Sequence, residues 1–155
     1  MSNDTEDMTP AEMLYAGIVM TRPLLRNITS RLEADLDGTG VGVGERAILE
    51  VLVSVPQATG PEITQMLQVT RQLVGRLLKE MIERGLLKTI PNPKHRTSHY
   101  YTLTKESRDL IEEIRATEMA RIGEFAACFT PEEIRAYYAV QKKLDAVMTQ
   151  GYDGQ

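Results

Sequence analysis

Apolar residues recur at roughly helical spacing from Met13 to Leu36, through Leu14, Ile18, Leu24, Leu25, Ile28 and Leu32, which places them along one side of a long helix. Thr9-Pro10-Ala11-Glu12 supplies its start: a hydroxyl cap, a proline where no amide is needed, and a carboxylate able to reach back to the cap. The spacing therefore predicts a helix over 9–37. Pro23 falls inside it, lacks an amide hydrogen and crowds the preceding turn, so a kink or break is expected near Thr21. Gly38, Gly40, Gly42 and Gly44 then form a flexible connection. Alternating glycines invite comparison with a phosphate-cradling loop, but such loops follow a strand, and here a helix comes before.

From Glu45 a second helical run carries Ala47, Ile48, Val51 and Leu52 and ends before Pro56. Pro61 opens a helix of about two turns on Ile63, Met66 and Leu67, and Gln68-Val69 breaks it. Thr70 caps a third helix whose inward face is Val74, Leu77, Leu78, Met81 and Ile82, with Gly85 as its stop. Leu73 falls between the faces, where it either packs on the preceding helix or touches a ligand. Two short antiparallel strands, Leu86–Ile90 and His99–Leu103, flank the proline-marked basic tip Pro91–Ser98. Thr104 caps a long helix bearing Leu110, Ile111, Ile114, Met119, Ile122, Phe125 and Ala126. Thr130-Pro131-Glu132-Glu133 opens a last one with Ile134, Tyr137, Tyr138, Leu144, Val147 and Met148. The expected fold is mainly α: about six helices plus a two-stranded β-wing, that is, a winged helix-turn-helix.

Charge changes the picture more than composition does. The 155 residues are 42% apolar and 26% charged, ordinary globular usage for one domain of mean size. No apolar run is long enough to span a membrane, and the acidic start MSNDTED is unlike a secretion signal, so a cytoplasmic location is expected. The net charge of -4 hides an asymmetry. Between Thr70 and Lys105 stand eight basic and two acidic residues, a local balance of +6 that leaves -10 on the rest. Such a division suits a chain that offers one face to phosphates and keeps the other soluble.

The stretch TRQLVGRLLKEMIERGLLKTIPNPKHRTSHYYTLT, Thr70 to Thr104, resembles the MarR family of winged helix-turn-helix transcriptional regulators. The likeness lies in the third helix ending in Gly85-Leu86, the basic wing, and Leu103-Thr104 opening the next helix; it extends over about residues 10–150. It implies a homodimer whose first and last helices intertwine, a DNA-binding lobe in the middle of each chain, and often control by a small ligand or oxidant. On this basis 9–37 is an N-terminal dimerisation helix, 45–104 the winged lobe, and 105–150 the C-terminal dimerisation helices. The family's wing often carries an aspartate, a basic residue and an arginine. Here His95, Arg96 and Thr97 stand there, so only the middle position matches and the wing is expected to persist with altered support.

A helix fits the major groove, and spacing alone nominates Arg71, Gln72, Gly75, Arg76 and Lys79 as the base-facing row. Arginine pairs bidentately with guanine and glutamine with adenine, while Gly75 permits close approach. Thr70 is placed to donate to a phosphate, as are Lys94 and Arg96 on the wing, with Arg96 suited to a narrow minor groove. The expected partners are double-stranded DNA, a second copy of the chain, and a small-molecule effector of unspecified identity. A pocket for the last is expected between the dimer helices and the DNA lobe, near Met20, Arg22 and Pro23. His95 and His99 lack companions at metal-ligand spacing, so neither metal nor cofactor is expected. Cys128, near the end of an apolar helix, is expected to be a buried, inert thiol in preference to an oxidant sensor. No nucleophile elbow or nucleotide loop is present, which argues against an enzyme. The competing reading is a winged-helix module that meets another protein through the same basic surface.

Overall fold

The computed structural model describes residues 7–95 and 97–150, and Arg96 is the one proposed contact residue outside them. Six helices and three short strands follow in the order α1 (Pro10–Leu36), α2 (Val43–Ser54), β1 (Ala58–Thr59), α3 (Gly60–Leu67), α4 (Arg71–Glu83), β2 (Leu87–Pro91), β3 (His99–Leu103), α5 (Lys105–Ala126) and α6 (Pro131–Gln150). The chain divides after Ile111 into two units, so that α5 belongs to both.

Threonine caps mark the starts that the sequence announced. Thr9 and Glu12 close a reciprocal box at α1, with the Thr9 amide donating to Glu12 Oε2 at 2.8 Å. Thr130 and Glu133 repeat it at α6. In each box the bonds donated by threonine hold the glutamate below the ordinary carboxylate range. Thr104 caps α5 by accepting the Ser107 amide at 3.2 Å, and both residues are buried.

Helix α1 runs unbroken through Pro23, against the expectation of a break near Thr21. Pro23 and Val19, whose carbonyl would have received the missing amide, both face solvent, which leaves room for the ring and water for the carbonyl.

The wing is also larger than its two strands. β1 pairs antiparallel with β3, Ala58 opposite Tyr101 and Thr59 opposite Tyr100, giving a three-stranded sheet ordered β1-β3-β2. β2 and β3 pair from Leu87–Leu103 to Pro91–His99. Thr59 serves twice, as a strand residue and as the cap of α3, where it forms a box with Glu62.

The core of the first unit sits under these elements: Ile48, Leu49 and Leu52 of α2, Ile63 of α3, Val74, Leu78 and Met81 of α4, Leu87 and Leu103 of the sheet, and Ile111 of α5. At the end of α4 the Gly85 amide donates to the Ile82 carbonyl and the Leu86 amide to that of Met81, with Gly85 at φ +73°. This paired closure needs the left-handed conformation and turns the chain straight into β2. Gly85→Ala is expected to lower stability by about 1 kcal/mol, read as a shift in the urea midpoint without a change in slope.

Along α1 and in the second unit most large apolar residues are exposed, with Ile114 of the second unit buried. Leu36 is the one buried residue of α1, and α6 has none. Cys128, expected to be buried, is exposed: α5 ends at Ala126, and the cysteine lies in the turn that follows.

Candidate nucleic-acid interface

Helix α4 is held from below and open above. Val74, Leu78 and Met81, spaced four and three residues apart, face the core, whereas Arg71, Gln72, Gly75, Arg76 and Lys79 are all exposed. Leu73 and Leu77 are half-buried at the edges, and Ile82, expected inside, is exposed at the carboxyl end. Arg71 and Arg76 make no ion pair among the described residues, and Lys79 reaches Glu83 at 3.9 Å on an exposed surface, where such a contact is weak. A methyl group at Gly75 would meet no atom within 4 Å, so its flat patch opens to solvent between Arg71 and Arg76.

The amino end of α4 is set by a tight turn. Gln68 ends α3 in the left-handed region at φ +53°, uncommon for a residue with a side chain, and two residues later Thr70 caps α4. Thr70 Oγ1 accepts the Leu73 amide at 3.2 Å, which leaves its hydroxyl hydrogen to donate outward.

The wing tip is organised by Asn92. Buried to 8% exposure, it accepts the Lys94 amide on Oδ1 at 3.0 Å and the His95 amide on its carbonyl at 3.2 Å; the His95 carbonyl then accepts from Ser98. An asparagine turn thus supports the loop where the resemblance would have placed an aspartate brace. Lys94 is exposed and close enough to Glu62 to contribute to that carboxyl's lowered pKa, behind the bonds from Thr59. The wing's lysine and the start of α3 therefore share one side of the lobe.

Two features of this lobe escaped sequence reasoning. Arg84, one of eight cations in the basic segment, turns away from the exposed row: its Nη1 lies 2.5 Å from Glu45 Oε1 and its Nη2 donates to the Gly40 carbonyl. β1 was hidden because two residues carry no periodicity, although the Thr59-x-x-Glu62 box beside it was legible.

Open grooves lie near both ends of α1. One of about 320 Å³ runs along Glu33, Leu36 and Asp37 and the Gly38–Val43 connection, and a second of about 540 Å³ lies along Asp7, Met8, Ala11, Glu12, Tyr15 and Ala16. Neither includes Met20, Arg22 or Pro23, which lie exposed on the middle of the helix. Among the described residues no three histidine, cysteine or acidic side chains are grouped to hold a metal, and no helix is long and apolar enough to cross a membrane.

A sequence profile of the MarR family matches residues 39–96, from the glycine connection to the wing. An uncharacterized protein of Mycobacterium tuberculosis is 31% identical over 85 residues, 55% of this chain and 59% of that protein's length. AbsC, a MarR family transcriptional regulator from Streptomyces coelicolor, shares the fold at 15% identity, with a TM-score of 0.77 over 92% of this chain and 97% of its own. FabT of Streptococcus pneumoniae, crystallised in complex with DNA, shares it at 18% identity and a TM-score of 0.75, over 88% and 98%. The crystal structure of a MarR family transcription regulator is similar at 41% identity and a TM-score of 0.84, covering 90% of this chain and 93% of its own. With that identity over nearly the full length of both, this chain belongs to the MarR family of transcription regulators.

Proposed function

We propose that the chain is a sequence-specific, double-stranded DNA-binding regulator that acts as a homodimer. One observation carries this reading: the solvent face of α4 presents Arg71, Gln72 and Arg76 around a bare Gly75, while the opposite face is locked into the core. Long donors on a rigid helix, beside a glycine that lets a surface come close, suit base edges in a major groove. Lys79 extends that row, Thr70, Lys94 and Arg96 serve the phosphates alongside, and FabT, which shares the fold, is known in complex with DNA.

The dimer rests on a separate argument. Met13, Leu14, Ile18, Leu24, Leu25 and Ile28 on α1, with Ile134, Tyr137, Tyr138, Val147 and Met148 on α6, are all exposed in the single chain, far more apolar surface than a monomer keeps in water. A second copy covers it by two-fold packing. Segments 9–37 and 105–150 then form the dimerisation region and 45–104 the reading lobe. Two lobes related by a dyad read a pseudo-palindrome with half-sites about 10 base pairs apart. A dimer seated on a promoter excludes polymerase, so the reading is a cytoplasmic repressor, released by a small ligand.

The test is selection of genomic fragments by the purified chain, followed by titration of the selected duplex across a salt series. Binding is expected to fall steeply between about 50 and 200 mM salt, with Lys94→Ala and Arg96→Ala each flattening the slope by about two, one for each subunit. A chain that retains no fragment, or whose affinity ignores salt, would falsify the proposal. Gly75→Ala separates fold from reading: it is expected to raise stability by up to about 1 kcal/mol, since the site is an open helix interior, while weakening the selected duplex. Unchanged affinity in that variant would remove close approach at Gly75.

A further inference from the structure

We propose that Arg84 is a positioning residue for DNA reading: it fastens the carboxyl end of α4 to the α1–α2 connection and thereby fixes the tilt at which the base-facing row is presented. The inference rests on the reading of α4 as the helix that enters the groove.

Arg84 belongs to the basic segment by sequence but not by direction. Its Nη1 meets Glu45 Oε1 at 2.5 Å and its Nη2 donates to the Gly40 carbonyl, so one planar fork spans a carboxylate on α2 and a backbone oxygen ahead of it. Glu45 is held in turn. It is buried, and its other oxygen accepts the Gly42 amide at 3.0 Å, closing the first turn of α2. The arginine's own backbone is fixed by the paired closure at Gly85.

A second attachment lies seven residues earlier. Gly44, beside Glu45, comes so close to α4 that a methyl group there would stand 2.9 Å from Leu77 Cδ1. Leu77 on Gly44 and Arg84 on Glu45 and Gly40 are about 10 Å apart along the helix axis. Two separated attachments set an angle, whereas one leaves a pivot. With Leu77 left as the pivot, Arg71 lies about 9 Å along the axis from it, so a tilt of about 5° displaces it by about 0.8 Å, beyond the roughly 0.5 Å that bidentate pairing with a base tolerates. Phosphate contacts from long flexible cations tolerate such a shift. Loss of Arg84 therefore acts on specific binding and spares nonspecific binding.

The experiment compares the wild-type dimer with Arg84→Gln, Arg84→Lys and the double variant Glu45→Gln/Arg84→Gln. Each is titrated with the duplex selected from genomic fragments and with an unrelated duplex of equal length, across a salt series and well below the melting temperature. Arg84→Gln is expected to weaken the selected duplex by about tenfold, leaving both the unrelated duplex and the salt slope unchanged; Arg84→Lys, which reaches one acceptor instead of two, recovers part of the loss. Should Arg84→Gln fail to fold because Glu45 is left without its cation, the double variant, which strands no charge and keeps an acceptor for the Gly42 amide, is expected to show the same selective loss. A folded variant that binds both duplexes like the wild type overturns the proposal, and so does a slope reduced by about two, one for each subunit, which would make Arg84 a phosphate ligand. A wild-type chain that binds neither duplex overturns the proposed function as well, so the two failures are distinguishable.

Discussion

Leu24→Glu combined with Ile28→Glu is expected to turn the dimer into monomers and to drop affinity for the selected duplex roughly a thousandfold, into the nonspecific range. The two residues lie one helical turn apart on α1 and are exposed in the single chain, so the change leaves the core around Ile48 and Met81 untouched. Two carboxylates placed against a second copy have to be desolvated without partners, which no packing adjustment offsets. A monomer keeps one reading helix and loses the doubled contact area that ties specificity to symmetry. Sedimentation equilibrium at micromolar concentration together with a gel shift reads both consequences. A variant that sediments as the wild-type species removes α1 from the interface.

Arg76→Ala carries the second large effect. Its guanidinium stands at the centre of the exposed row, beside the open face of Gly75, with no ion-pair partner among the described residues to hold it back. A bidentate pair to guanine is worth about 1 to 3 kcal/mol, and a dimer makes it twice, so affinity for the selected duplex is expected to fall by at least about 30-fold. Binding to an unrelated duplex changes little, because a cation reading base edges is not the one that displaces counterions. Competition between the two duplexes in one gel measures the ratio directly. Equal losses on both would reassign Arg76 to the phosphates.

The parts of this molecule that local chemistry dictates were legible before folding. Thr70, Gly85, Thr104 and the Thr130 box each satisfy or terminate a helix through their own backbone, and each stands where its residue type demanded. The exposed face of α4 followed from spacing for the same reason. What depended on distant partners was not legible. Arg84 is the same residue type as Arg76, and only the folded position of Glu45, 39 residues away, separates a brace from a free donor. β1 exists because β3 has an edge to satisfy, not because Ala58-Thr59 has a pattern. Cys128 was misjudged through its neighbours: apolar residues surround it in sequence, but α5 stops two residues earlier. Apolar spacing on α1 and α6 gave the stripes, which the single chain leaves exposed.

The short strand ahead of α3 also constrains how such regulators are re-engineered. Because Thr59 is hydrogen-bonded into the sheet and also caps the helix that supports α4, a hairpin transplanted from a relative arrives without the edge it was shaped against. Exchanging 87–103 alone is expected to loosen the start of α3, whereas a graft that carries residues 57–59 with the hairpin keeps the two in register. The portable cassette is discontinuous in sequence.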